Sequence, residues 1–171
     1  VYLLEGGLAH ILPQGLRVTT ASLDEDMAVI QVDTQLVNRI HHPVAVEVQT
    51  KLYGPDGALA AEETTPLTLM GGSKEPLKQT LAVAGPHPWS DLSPDLYTCR
   101  VTLTAVGQEL DSAETAFGIR TISVDARRGL RINGRSVKLR GACIHHDGGL
   151  LGAATFEEAE FRRMRLLKEA G

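Results

Sequence analysis

Strict alternation of apolar and polar residues restricts this chain more than any other feature, because a period of two is what a strand with one dry and one wet face produces. The clearest run is Ala28-Val-Ile-Gln-Val-Asp-Thr-Gln-Leu36, in which Ala28, Ile30, Val32 and Leu36 share one face and Gln31, Asp33 and Gln35 the other. After Pro43 the pattern resumes, with Val44, Val46, Val48 and Leu52 opposite Glu47, Gln49 and Lys51. Further strands are predicted at Leu16 to Ala21, Ala58 to Thr64, Lys78 to Ala84, Leu96 to Thr104 and Leu110 to Ile122. Gly54-Pro-Asp-Gly57 is a turn by composition, and Asp24-Glu25-Asp26 reads as a solvated turn. Seven short strands with a turn signal roughly every ten residues, and no helix-period segment among them, predict an antiparallel β-sandwich of the immunoglobulin type from Leu8 to Val124.

Two residues refine that prediction. Tyr97 lies two positions before Cys99 on the penultimate strand, the spacing of a tyrosine corner, whose hydroxyl bonds backbone a few residues upstream. The first long strand offers no cysteine to Cys99, so an antibody-type bridge is excluded, and Cys99 and Cys143 fall in different structural units. Cysteine usage therefore leaves the compartment unread. Trp89, just ahead of the Tyr97 strand, reads as a lid on the open end of the core in preference to a stacking platform, since large apolar side chains mostly pack.

The period changes after the sandwich. Asn133-Gly134, set between Leu130 and Ile132 on one side and Val137 and Leu139 on the other, is a two-residue hairpin signal. It launches a predicted strand, Val137 to Ile144, that runs into His145-His146-Asp147 and a glycine-rich loop. Thr155 with Glu158 three residues on marks a helix start. Phe161, Met164 and Leu167, broadened by Leu166 and Ala170, form its apolar stripe, and Gly171 stands at its C-cap position. Strand, polar loop, helix is how a repeating β-α unit begins.

The chain has 171 residues and a net charge of −4 with scattered basic residues, which excludes a nucleic-acid surface. No apolar run approaches the roughly 20 residues that span a bilayer. Gly6-Gly7, Gly71-Gly72 and Gly148-Gly149 lack the context of a nucleotide loop. Metal binding is disfavoured: neighbouring residues on an extended strand face opposite ways, no H-E-x-x-H occurs, and His41-His42 abuts Pro43 in a turn. With neither an initiator Met nor a signal-peptide pattern at its start, the chain is expected to be cut from a longer protein.

A resemblance covers the last third. Phe117-Gly-Ile-Arg120, Leu130-Arg-Ile-Asn-Gly134, Leu139-Arg-Gly141, His145-His-Asp147, Leu151-Gly-Ala-Ala154 and Leu166-Leu-Lys-Glu-Ala-Gly171 resemble, in order, the segment of family 2 glycoside hydrolases, the β-galactosidase group, that joins an immunoglobulin-like domain to a catalytic (β/α)8 barrel. The resemblance implies three parts: residues 1–7 as the end of a preceding sugar-binding domain or linker, 8–124 as the sandwich, and 125–171 as the opening of a truncated barrel. It implies that His145 helps hold the non-reducing sugar, with His146 and Asp147 orienting the loop, although Cys143-Ile144 stand where many members have Asn-Arg.

The parent enzyme implied by that resemblance is a retaining β-glycosidase. Its two catalytic glutamates are expected beyond Gly171, so no catalytic residue is assigned within this chain, which is expected to be inactive alone. The resemblance assigns no cofactor to these residues and leaves the parent with Mg2+ or no metal. Implied partners are a carbohydrate substrate and, in cis, the rest of the barrel and the preceding domain, with no nucleic acid and no membrane; homo-oligomerisation stays open. Alternatives are a β-glucuronidase or β-mannosidase of the same family, or a stand-alone sandwich module that binds carbohydrate or protein.

Overall fold

The computed structural model describes residues 6–139, 141, 143–146 and 148–171. Seven strands form its main body: β1 (Ala9–Leu23), β2 (Met27–Asn38), β3 (Val44–Tyr53), β4 (Leu59–Leu69), β5 (Lys74–Ala84), β6 (Tyr97–Ala105) and β7 (Gln108–Phe117). They make two antiparallel sheets, ordered β1-β2-β5 and β4-β3-β6-β7. The fourth strand pairs with the third, whereas in an antibody constant domain it joins the sheet of the first, second and fifth.

The alternation in sequence sets which faces meet. Ala28, Ile30, Val32 and Leu36 on β2, with Leu81 and Val83 on β5, lie in one core with Val46, Val48, Leu52, Val101 and Leu103 of the other sheet. Register keeps these sides aligned, with Ile30 opposite Leu81 and Leu52 opposite Cys99. Of the four buried polar side chains, Thr34, Asn38, Thr50 and Gln79, the two amides are both satisfied. Gln79 on β5 donates from Nε2 to the Val48 carbonyl at 3.2 Å and to Thr65 Oγ1 at 3.0 Å, while its Oε1 accepts from the Thr50 hydroxyl at 2.7 Å. The amide thus links the two sheets. Asn38, at the end of β2, donates to the His42 and Leu69 carbonyls and accepts from the Ile40 N–H, which secures the loop that carries His41 and His42. Left unpaired, either amide would cost about 1–3 kcal/mol.

The tyrosine corner forms as its spacing predicts: the buried Tyr97 hydroxyl accepts from the His87 N–H at 2.9 Å, and its ring lies 5.8 Å from that of Phe117. Open sheet edges receive carboxylates. Asp111 accepts from the Ile11 N–H of β1 at 2.8 Å, and Glu63 from the Thr80 N–H of β5 at 3.2 Å, so backbone donors that could template another strand are occupied.

The last predicted strand, Leu110 to Ile122, is instead two elements. β7 ends at Phe117, and β8 (Ile122–Asp125) belongs to a separate meander with β9 (Gly129–Ile132) and β10 (Arg135–Ser136). The break follows from Trp89: its N–H donates to the Ile119 carbonyl at 2.9 Å, and Gly118 sits so close that an added Cβ would be 2.7 Å from Trp89 Cβ. The Asn133-Gly134 hairpin forms as predicted, with φ of 50° and 76° at the two turn residues.

Contacts divide the chain into two compact units, 1–137 and 138–171. The second holds a short 3-10 turn at Gly149–Leu151 and one helix, α1 (Glu157–Ala170). The predicted strand from Val137 to Ile144 is not formed in the described residues of that stretch. Val137 donates its N–H to the Leu130 carbonyl and so closes the hairpin, after which no described residue offers a ladder to pair with. A run of strand-forming residues needs such a partner to become a strand. Of the predicted linker, residues 1–7, residues 1–5 fall outside the described residues.

Candidate functional site

The loop that carries the predicted site is organised by its own backbone. Gly148 donates to the Gly152 carbonyl at 2.8 Å, Gly152 to the Gly149 carbonyl at 3.0 Å, and Ala154 to the Leu151 carbonyl at 3.1 Å. Gly149 and Gly152 adopt φ of 64° and 59°, a conformation that explains why glycines occupy these turns. The loop is therefore a compact knot ahead of α1.

His145 and His146 are both exposed on the irregular segment ahead of this knot, His146 at a bend. His145 makes no hydrogen bond to the described residues, whereas His146 Nδ1 lies 3.2 Å from Thr155 Oγ1. Asp147, predicted to orient the loop, lies outside the described residues.

The Thr-x-x-Glu spacing predicts Thr155 as the N-cap, and the structure corrects this: Phe156 is the N-cap residue, with extended φ and ψ of −115° and 139° and no side-chain cap. The helix begins one residue later than the Thr-x-x-Glu spacing suggests. Glu157, Glu158 and Glu160 instead supply negative charge to the exposed N–H groups of the first turn. Freed from capping, the Thr155 hydroxyl faces a histidine nine residues earlier. The pairing leaves no signal in the sequence, because neither residue belongs to a periodic element that would place them together.

In the first unit, residues around Trp89 are joined through Asn133. Its Nδ2 donates to the Trp89 carbonyl at 3.0 Å, and it exchanges bonds with Thr121, the Thr121 N–H reaching Oδ1 at 2.9 Å and the Asn133 N–H reaching the Thr121 carbonyl at 3.0 Å. Arg135 pairs with Asp91, and the Arg120 guanidinium stands 4.4 Å over the Trp89 ring. That ring face is taken by a cation, which favours the packing role over ligand stacking.

Among the described residues no group of three or more His, Cys, Asp or Glu side chains could hold a metal ion. Both cysteines are free, Cys99 buried and Cys143 exposed. Burial pushes the Cys99 thiol up to about 12, so it behaves as a small apolar core residue. No described helix is long and apolar enough to cross a membrane.

The mainly antiparallel β fold is shared with known hydrolases. Residues 9–120, more than half of the chain, match the model for glycosyl hydrolases family 2, and the chain belongs to that family. It is 37% identical to the β-galactosidase BoGH2A of Bacteroides ovatus over 171 residues, all of this chain and 20% of that protein. A crystal structure of a family 2 member from Bacteroides cellulosilyticus DSM 14838 aligns over 95% of this chain and 22% of that one at 35% identity, with a TM-score of 0.89. Bacteroides uniformis β-glucuronidase aligns over 97% and 21% at 26% identity, with a TM-score of 0.86. The chain thus spans about a fifth of the length of the relatives it matches.

Proposed function

We propose that this chain is the sandwich and the barrel opening of a retaining β-glycosidase that acts on terminal β-galactosides, and that His145, His146 and Asp147 belong to its sugar subsite. The observation that carries the proposal is the similarity to a β-galactosidase along the whole chain, histidine loop included. A polar cluster at the start of a β-α loop suits a sugar: a neutral imidazole both donates and accepts, and bonds to ring hydroxyls can strengthen as oxocarbenium character develops.

The chain's own acidic residues do not supply the chemistry in this reading. A retaining pair needs two carboxylates about 5–5.5 Å apart across the scissile bond. Glu157, Glu158 and Glu160 serve the first turn of α1, and Glu160 also pairs with Arg163 at 3.3 Å. The longer enzyme, with Mg2+ or without a metal, provides both glutamates from later barrel strands, and the sandwich braces the barrel against the preceding domain.

A β-glucuronide is the second candidate substrate, because Bacteroides uniformis β-glucuronidase shares the fold over nearly the whole chain. Assays on this chain and on its continuous reading frame, with 4-nitrophenyl β-galactoside and β-glucuronide, test the proposal. Turnover of the galactoside by the longer protein, none by this chain, and a kcat/KM loss of about tenfold or more in His145→Ala are expected. Hydrolysis by the 171-residue chain itself, or a His145→Ala enzyme with unchanged kcat/KM, overturns it.

A further inference from the structure

Resting on the sugar-site reading of the histidine loop, we propose that Thr155 is a positioning residue that holds the His146 ring through Nδ1 and leaves Nε2 as the atom offered to a sugar hydroxyl. The contact is 3.2 Å between Thr155 Oγ1 and His146 Nδ1, and Nε2 has no partner among the described residues. An exposed imidazole with no such contact samples several rotamers and both neutral tautomers. His145, without a hydrogen bond to the described residues, is the internal contrast.

Three features make Thr155 suited to the task. It directly precedes the N-cap Phe156, so its backbone is tied to the start of α1. Its hydroxyl is not spent on capping, since the helix has no side-chain cap. Its β-branch restricts χ1, which keeps the hydroxyl aimed in one direction. Between the two residues the chain is closed by its own backbone bonds from Gly148 to Ala154, so the hydroxyl and the ring are held at the two ends of a braced loop. Where the hydroxyl donates to Nδ1, the ring proton resides on Nε2 and can be given to a sugar oxygen; where it accepts from Nδ1–H, Nε2 is left to accept from a sugar hydroxyl. The partner of a binding histidine's second nitrogen commonly decides its orientation in this way.

The ring nitrogens report the contact directly. In this chain, long-range 1H–15N spectra of the imidazoles are expected to show a changed Nδ1 signal for His146 in Thr155→Val, an unchanged His145, and a wild-type pattern in Thr155→Ser. An unaltered His146 spectrum in Thr155→Val overturns the proposal. In the longer enzyme, Thr155→Val is expected to lower kcat/KM for the aryl β-galactoside by roughly threefold to tenfold, with Thr155→Ser restoring most of it. His146→Ala in the same assay separates the two levels. If His146→Ala is impaired and Thr155→Val is not, the positioning role fails alone; if both match wild type while His145→Ala is impaired, the proposal for His146 fails and the sugar-site reading stands; if His145→Ala also matches wild type, that reading fails with it.

Discussion

Ile30, Leu52 and Leu103 in the sandwich have no exposed surface, while Phe161 and Leu167 on α1 keep 72% and 54% of theirs. Both regions follow the same rule of apolar periodicity, one with a period of two and the other with a helical one. The sandwich contains two faces that complete each other, so its pattern is consumed internally and even its buried amides, Asn38 and Gln79, find partners. No described residue from 138 to 171 is buried. Amphipathic pattern is a demand for a partner, and only the first unit carries its own.

The sharpest way to break this contrast is a truncation in the sandwich. Leu52→Ala is expected to cost about 2–5 kcal/mol, read as a lower urea midpoint with an unchanged slope, because it opens a cavity where nothing can collapse. Next comes Gly118→Ala, whose Cβ would stand 2.7 Å from Trp89 Cβ and Cγ. A loss of about 1–3 kcal/mol with an altered tryptophan fluorescence spectrum is expected, since chain and ring must both shift.

The two thiols extend the comparison to chemistry. A disulfide-exchange reagent at pH 8 is expected to label Cys143 at once and Cys99 only on unfolding. The folded Cys99 value of about 12 exceeds its ordinary 9.0, so between these pH values the unfolded chain is the one that loses the proton. Stability from this thiol is therefore intact below pH 9 and falls as pH rises toward 12, by at most about 1.4 kcal/mol per pH unit. Urea titrations at pH 8 and 10.5 check it, with Cys99→Val expected to flatten that decline. The smallest effect belongs to α1: Leu167→Ala should change the stability of this chain by less than about 0.5 kcal/mol. A cost resembling that of Leu52→Ala would show that the helix stripe is already covered in solution.

Much of the sandwich was legible residue by residue. Alternation points Ala28, Ile30, Val32 and Leu36 inward and all are buried; the Tyr97 corner and the Asn133-Gly134 hairpin follow from spacing and turn chemistry. Local pattern and fold part company where a distant contact decides the outcome. Leu110 to Ile122 reads as one strand until Gly118 meets Trp89, and Val137 to Ile144 reads as a strand until one asks what it would pair with. Thr155 satisfied the capping pattern but stands one residue too early for it.

Architecture class, core-facing residues and family are all legible in the order of the residues, because periodicity, turn residues and motif order are local properties that each residue carries with it. Pairing of β4 with β3, the Gln79 link between the sheets and the meeting of Thr155 with His146 arise only in the folded chain. Those outcomes depend on which groups, far apart in the chain, arrive within about 3 Å of one another, and no local pattern encodes an arrival.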